Sequence, residues 1–195
     1  MNRVILSAST DETILAVTRQ HKLVDLEIEQ QINTEIVGCI YKGVVKNIVP
    51  AVDGIFVDIG IGKNAFLRRK DLLNEKRFPT EGSPILAQVI KSDTDMKGAL
   101  ITEKISMFGK YAVTLSGTGY IGVSKKIRQE SVRKRLKEIG KEICAEHMGL
   151  IIRTAAENAD MDEFRKDITR LKENWDIIQK RFRMEKSPTL LYRES

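Results

Sequence analysis

The sequence predicts a mixed α+β protein, with short strands filling its first half and two amphipathic helices its second. Three observations carry this. Ile36 to Leu67 is rich in Val and Ile and is cut by Asp53-Gly54, a short-range hairpin signal. Val132, Leu136, Ile139 and Ile143 recur at helical spacing, as do Met161, Phe164, Ile168, Leu171, Trp175, Ile178 and Phe182. Between and around these lie short apolar runs bounded by Gly and Pro.

Taken in order, residues 1 to 34 predict a small β-meander, with strands at Val4–Ala8, Thr13–Thr18 and Leu23–Ile28 and a polar connection over Gln30–Asn33. Such a sheet is too small to stand alone. Ile40–Ala51, Gly54–Ile59 and a third strand beginning at Asn64–Leu67 follow, with Gly60-Ile61-Gly62-Lys63 as a loop. Side chains alternate along a strand, so Ile55, Val57 and Ile59 share one face with the core. Phe56 and Asp58 take the other face. Ala65 and Leu67 fit the core, and Phe66 points away from it. Parity alone leaves open the alternative that both phenylalanines are core, because a one-residue slip reverses every face. On the first assignment two rings lie beside Lys42, Lys46 and Lys63. Cations that hold phosphate and rings that stack on bases are what single-stranded nucleic acid requires.

Arg68–Leu73 predicts a short helical turn, Ile85–Ser92 a strand, Asp93–Gly98 a hairpin loop and Ala99–Glu103 a closing strand. Lys97 stands in that loop. Strands at Lys110–Leu115 and Tyr120–Val123 follow, then a helix capped by Ser131 and running to His147, then a short strand at Gly149–Ile152. Asp160 is placed to cap the longer helix, which Ser187-Pro188 stops. Thr189–Tyr192 begins a strand. That last run and the meander, neither with an evident partner in the sequence, predict a piece of something longer.

The 195 residues allow one or two domains, and 42% hydrophobic with 31% charged residues fits a globular chain. No run of eighteen apolar residues and no signal-peptide pattern is present, so a cytoplasmic location without membrane contact is expected. Cys39 and Cys144 are far apart and outside any CxxC, which argues against a zinc site or disulfide framework. Net charge is +6, with Lys and Arg crowded over Lys125–Lys141 and Lys180–Lys186. Such runs are more often solvated helix faces than binding sites. Asp93/Asp95 and Asp160/Asp162 are acidic pairs better explained by loop and capping chemistry than by metal, and His21 and His147 stand alone.

The run from Gly43 to Leu67, GxVxxIxPAxxGxFVDIGxGxxxFL, resembles the RNA-binding domain named after ribosomal protein S1. That resemblance implies a five-stranded OB-fold barrel that binds single-stranded RNA. With it, the words FGKYAV, IGVSKKI and HMGLIIRTAAENAD, in this order, are similar to the N-terminal region of bacterial ribonucleases of the RNase E/G family. The resemblance covers nearly the whole chain and implies a plan. Residues 1–35 belong to an RNase H-like subdomain, residues 36–103 form the S1-type barrel, and residues 104–195 form an α+β sensor of the RNA 5′ end.

By matching words, the resemblance places barrel contacts on Phe56, Phe66 and Lys97, and 5′-phosphate contacts on Gly109, Val113, Lys125, Arg153 and Thr154. The family more often has Arg at the position of Lys125, so Lys126 is a rival for that role. Arg153 offers a planar fork suited to phosphate oxygens, Thr154 a hydroxyl, and Gly109 room for close approach. The preferred partner implied is single-stranded RNA carrying a 5′-monophosphate. No catalytic residue, metal ligand or cofactor is assigned in this chain. The family's magnesium-holding aspartates and shared zinc motif do not map here, and neither do its oligomer-forming parts. The expectation is a chain that binds RNA without cutting it. The alternative is a stand-alone S1-like RNA-binding module with no nuclease role.

Overall fold

Three β-rich runs open the chain and pair as strands. The computed structural model describes residues 2–8, 12–19, 22–30, 36–94, 97–144 and 148–193. It divides into two units, Met1–Ile36 and Val37–Ser195. The first holds β1 (Asn2–Ala8), β2 (Glu12–Arg19) and β3 (Lys22–Gln30), paired antiparallel in the order β1-β2-β3. Apolar residues face each other across it, with Val4 opposite Val17 and Leu6 opposite Leu15. His21, Asp95 and His147, and residues 9–11 and 20–21, lie outside the described residues.

The second unit begins with the barrel, formed by β4 (Ile40–Val49), β5 (Gly54–Asp58), β6 (Ala65–Arg68), β7 (Pro84–Lys91) and β8 (Leu100–Thr102). The order runs β4-β5-β6-β8-β7, and β7 returns to β4 to close it. Within the barrel only β6 and β8 pair parallel. The closed five-stranded barrel is the OB-type fold the sequence predicts. Its core holds Ile55, Val57, Ile59, Ala65 and Leu67, none more than 1% exposed, so the alternation places Phe56 and Phe66 outside. The expected Asp53-Gly54 turn is instead a 3-10 turn over Pro50–Val52. Pro50 lacks the N–H a continuing strand needs, and Asp53 takes the left-handed conformation (φ 49°) while its N–H donates to Pro50 O at 3.0 Å.

The rest of the unit is a second sheet and two helices. The strands are β9 (Ser106–Phe108), β10 (Ala112–Ser116), β11 (Ile121–Val123) and β12 (Met148–Ile152), in the order β11-β12-β10-β9. Helices α1 (Glu130–Ile143) and α2 (Met161–Met184) bury Leu136, Ile139, Phe164, Ile168, Leu171 and Ile178 in one core with Met148, Leu150 and Ile152. Ser131 does not cap α1. The extended residue before it is Gln129, with no side-chain cap, and the helix ends at Ile143 because Cys144 turns extended toward β12. Asp160 does cap α2, accepting from the N–H groups of Asp162 and Glu163.

The last strand, β13 (Thr189–Tyr192), finds its partner inside the chain. It pairs antiparallel with β4, Thr189 opposite Lys42 and Leu190 opposite Tyr41. Lys42 therefore does not join the aromatic face. Its Nζ donates to Glu185 O at 2.6 Å and sits 5.1 Å from the centre of the Phe182 ring, tying the barrel to the end of α2.

Candidate nucleic-acid interface

Two places gather the residues the sequence singles out. On the barrel, β5 and β6 hold Phe56 directly opposite Phe66, and the ring centres are 5.4 Å apart at a tilt of 52°. A side chain at Gly54 would meet the Phe66 ring at 2.2 Å, so that glycine lets the ring lie against the strand. A cleft of about 620 Å³ opens over the pair, lined also by Val52, Lys91, Thr94 and Lys97. The 93–98 loop is anchored where Gly98 passes Asn64. A Cβ there would lie 1.9 Å from Asn64 O. Lys46 is beside the face but pairs with Asp58 at 3.3 Å, and Lys63 donates to Thr94 O at 2.9 Å. Half-exposed rings with a lysine at the rim can stack bases and hold a phosphate.

The second place lies on the four-stranded sheet of β9 to β12. Its outer face carries a row running Phe108, Val113, Ile151 and Gly122 across four strands. Arg153 follows β12, and its Nη1 donates to Gly109 O at 2.8 Å. Among the described residues its Nε and Nη2 have no partner, and the residue is exposed. Thr154 Oγ1 lies 2.9 Å from Ser124 Oγ. So Gly109, Arg153 and Thr154 lie at the strand ends of one sheet, with Val113 in its interior strand β10. Lys125, next to Ser124, lines a neighbouring groove against α1, and Lys126 N–H donates to Ser124 Oγ at 3.3 Å.

Gly109 allows a close approach, and the group that approaches is internal. Asp167 of α2 sits so near that a Cβ on Gly109 would be 2.4 Å from its Oδ2. That carboxylate is buried and accepts from Lys110 N–H (3.2 Å) and Tyr111 N–H (2.8 Å), fixing the loop whose carbonyls hold Arg153. Glu163, one turn earlier, accepts from Tyr111 Oη at 2.6 Å and Lys110 Nζ at 3.0 Å. Those donors, Tyr111 first, hold its carboxyl below the usual carboxylate range. Sequence reasoning misses Asp167, Glu163 and Ser124. Asp167 had a signal: it falls at the third position after Phe164, inside the apolar stripe of α2, where a solvated acid does not belong.

Asp160 is occupied as a cap and Asp93 faces Lys63 at 3.9 Å. Among the described residues no three His, Cys, Asp or Glu side chains gather as metal ligands. Among the described residues no helix is long and apolar enough to cross a membrane.

A closed five-stranded barrel with paired half-exposed aromatics, joined to an α+β sheet and helices, has the architecture of an S1-type RNA-binding protein. The S1 RNA binding domain model matches residues 34–102, and the Ribonuclease E/G family model matches residues 106–195. The chain is 33% identical to Ribonuclease G of Escherichia coli strain K12 over 98% of its own length and 42% of that protein's. It is 34% identical to Ribonuclease G of Haemophilus influenzae over 91% of this chain and 40% of that protein. It is 33% identical to Ribonuclease E of Synechocystis over 86% of this chain and 26% of the relative. The chain belongs to the ribonuclease E/G family, and it spans less than half the length of these relatives.

Proposed function

We propose that this chain is the RNA-binding and 5′-monophosphate-sensing part of an endoribonuclease that processes or degrades single-stranded RNA in the cytoplasm. The observation that carries the reading is Arg153. One nitrogen is spent on Gly109 O, which aims the guanidinium, while the side chain is otherwise exposed and the next residue, Thr154, holds its hydroxyl 2.9 Å from that of Ser124. A terminal monophosphate has more charge and more free oxygens than an internal phosphodiester. A half-fixed guanidinium with two hydroxyls favours it over a 5′-hydroxyl end. Phe56, Phe66 and Lys97 hold the strand without reading its sequence, since every base has a face to stack. Cleavage in this reading belongs to metal-bearing parts of a full-length family member.

The test is a titration at fixed salt with one short RNA bearing either a 5′-monophosphate or a 5′-hydroxyl. The monophosphate binds more tightly, and Arg153→Ala removes the difference while leaving the hydroxyl RNA bound. Arg153→Lys, which keeps charge and loses the fork, retains only part of it. Equal affinities for both ends in the unaltered chain would overturn the reading in favour of a general S1-like module.

A further inference from the structure

The charge of this chain is concentrated in one place. Lys125–Lys141 holds eight cations (Lys125, Lys126, Arg128, Arg133, Lys134, Arg135, Lys137, Lys141) against Glu130 and Glu138. That excess equals the net charge of the whole chain, +6, so everything else balances. The fold turns part of this run into a groove of about 270 Å³ between β11 and α1, lined by Tyr120, Lys125, Arg133, Lys134 and Lys137, with Glu130 among them.

The groove has a built floor and a fixed width. Arg133 is its brace. Its Nη1 donates to Ser124 O (2.7 Å) and Ile127 O (2.9 Å), so α1 is fastened to the turn that carries Lys125. Gly140 lets the helix settle on the sheet. A Cβ there would already touch Leu150 and Ile121 at 3.2 and 3.3 Å. Tyr120 is 62% exposed, yet its ring lies against the strand, since a Cβ on Gly122 would meet Tyr120 Cε1 at 2.8 Å. An exposed ring held flat on a backbone is a stacking surface formed in advance. Among the described residues Lys125, Lys134 and Lys137 make no ion pair or side-chain hydrogen bond. Lys134 and Lys137 are three positions apart, so they share a helix face about 5–6 Å apart at Cβ. Lys125 adjoins Ser124, whose hydroxyl meets Thr154, so the groove begins where the Arg153 cup ends.

We propose that this groove is a second RNA-backbone site, holding nucleotides downstream of the 5′ end with Lys134 and Lys137 on phosphates and Tyr120 under a base. The site rests on the sensor reading for its direction, since it extends the strand from the Arg153 cup along α1. It specifies no sequence. Unpaired cations flanking an aromatic favour a single-stranded nucleic acid over an acidic protein segment, which has no use for the ring.

The experiment compares four- and twelve-nucleotide RNAs, each with a 5′-monophosphate or a 5′-hydroxyl, over a series of salt concentrations. Lys134→Ala/Lys137→Ala should weaken the twelve-mer roughly tenfold at low salt and cut the slope of log affinity against log salt by about 1.4, from two phosphates at ~0.7 each. The four-mer and the preference for monophosphate stay unchanged. Tyr120→Ala should weaken the twelve-mer at least about fivefold with the slope intact. Both changes are at exposed positions, and thermal melting checks that the fold is kept. Unchanged twelve-mer affinity and slope in the double variant overturn the proposal. So does an equal loss in Lys180→Ala/Lys186→Ala, which removes the same charge from the last turns of α2 and the residues just after it. Loss of monophosphate preference in the unaltered chain is a separate failure. It sinks the sensor reading, while the groove is still read on the hydroxyl twelve-mer.

Discussion

Replacing Asp167 should damage both fold and sensing, because one buried carboxylate organises the loop that aims Arg153. In the native chain it accepts from Lys110 N–H and Tyr111 N–H and pairs with Arg170 at 3.2 Å. Asp167→Ala leaves two backbone donors without an acceptor in a largely buried place. An unsatisfied buried donor costs about 1–3 kcal/mol. Lys110 is nearer solvent and recovers part of its loss to water, so the sum is about 2–4 kcal/mol, a large share of the ~5–15 kcal/mol that holds a domain together. For a unit of this size that predicts a fall in melting temperature of roughly 4–16 °C. Asp167→Asn keeps one acceptor but turns an amide donor toward an N–H, so it should fall between. Urea unfolding gives the stability change, and titration with monophosphate and hydroxyl RNA gives the sensing change. With the loop released, Gly109 O no longer fixes Arg153, and the preference should shrink even where the protein is still folded. A stability change under about 0.5 kcal/mol in Asp167→Ala, with the preference intact, would refute the assignment.

Three further outcomes follow from the geometry. Phe56→Ala and Phe66→Ala should each weaken single-stranded RNA by about 1–3 kcal/mol without favouring either 5′ end, measured by fluorescence anisotropy. The Glu163 carboxyl is held low by Tyr111 Oη and Lys110, so its contribution is present above its ordinary titration range and is lost as pH falls through the depressed value. Melting curves from pH 6 to 3 should therefore converge for the native chain and Tyr111→Phe at the acid end and separate above it. Glu103 is pushed up by burial, against the Leu73 N–H that it accepts. Its protonated form is the favoured one in the fold, so stability is fully present at low pH and declines as pH rises through the raised value. Glu103→Gln keeps an acceptor and should match the native chain near pH 4 and exceed it in melting temperature at pH 7.

How far sequence reaches depends on the range of the interaction. Alternation over Ile55–Ile59 and Ala65–Leu67 fixes which face is core, because an apolar residue on the wrong face would be costly at every second position. The α2 stripe and its Asp160 cap are equally local, and both stand. Ser131 fails as a cap because Gln129 ends the extended stretch two residues sooner, a choice made by the turn that Arg133 braces. Three-residue β9 has too little pattern to show and exists because β10 offers it an edge. The destination of Lys42 was illegible for another reason. Its partner, Glu185 O, is 143 positions away, and nothing near Lys42 records it.

That long-range contact bears on how the two proposed RNA sites would work together. β13 lies on β4, Arg181 of α2 donates from Nη2 to Leu190 O at 3.0 Å, and Gln88 of the barrel joins Gly38 O (3.0 Å) to Ser106 of the sensor sheet, accepting from its N–H at 2.9 Å. Ile40 and Leu191 are buried in the sensor core, so the barrel strand and the last strand share that core with α2. The aromatic cleft and the Arg153 cup are thus carried on one packed unit rather than on two modules joined by a linker. A strand held at one site meets the other at a fixed separation. The second contact is then intramolecular, with an effective concentration set by the RNA between them. An RNA too short to span the two sites should show the sum of neither, while one just long enough should gain affinity steeply and lose that gain as its slack increases. Lys42→Ala removes the contact to Glu185 and Phe182 but leaves the shared core and the β13–β4 pairing, so it should keep that length dependence; a flat length profile in the unaltered chain would refute the fixed separation.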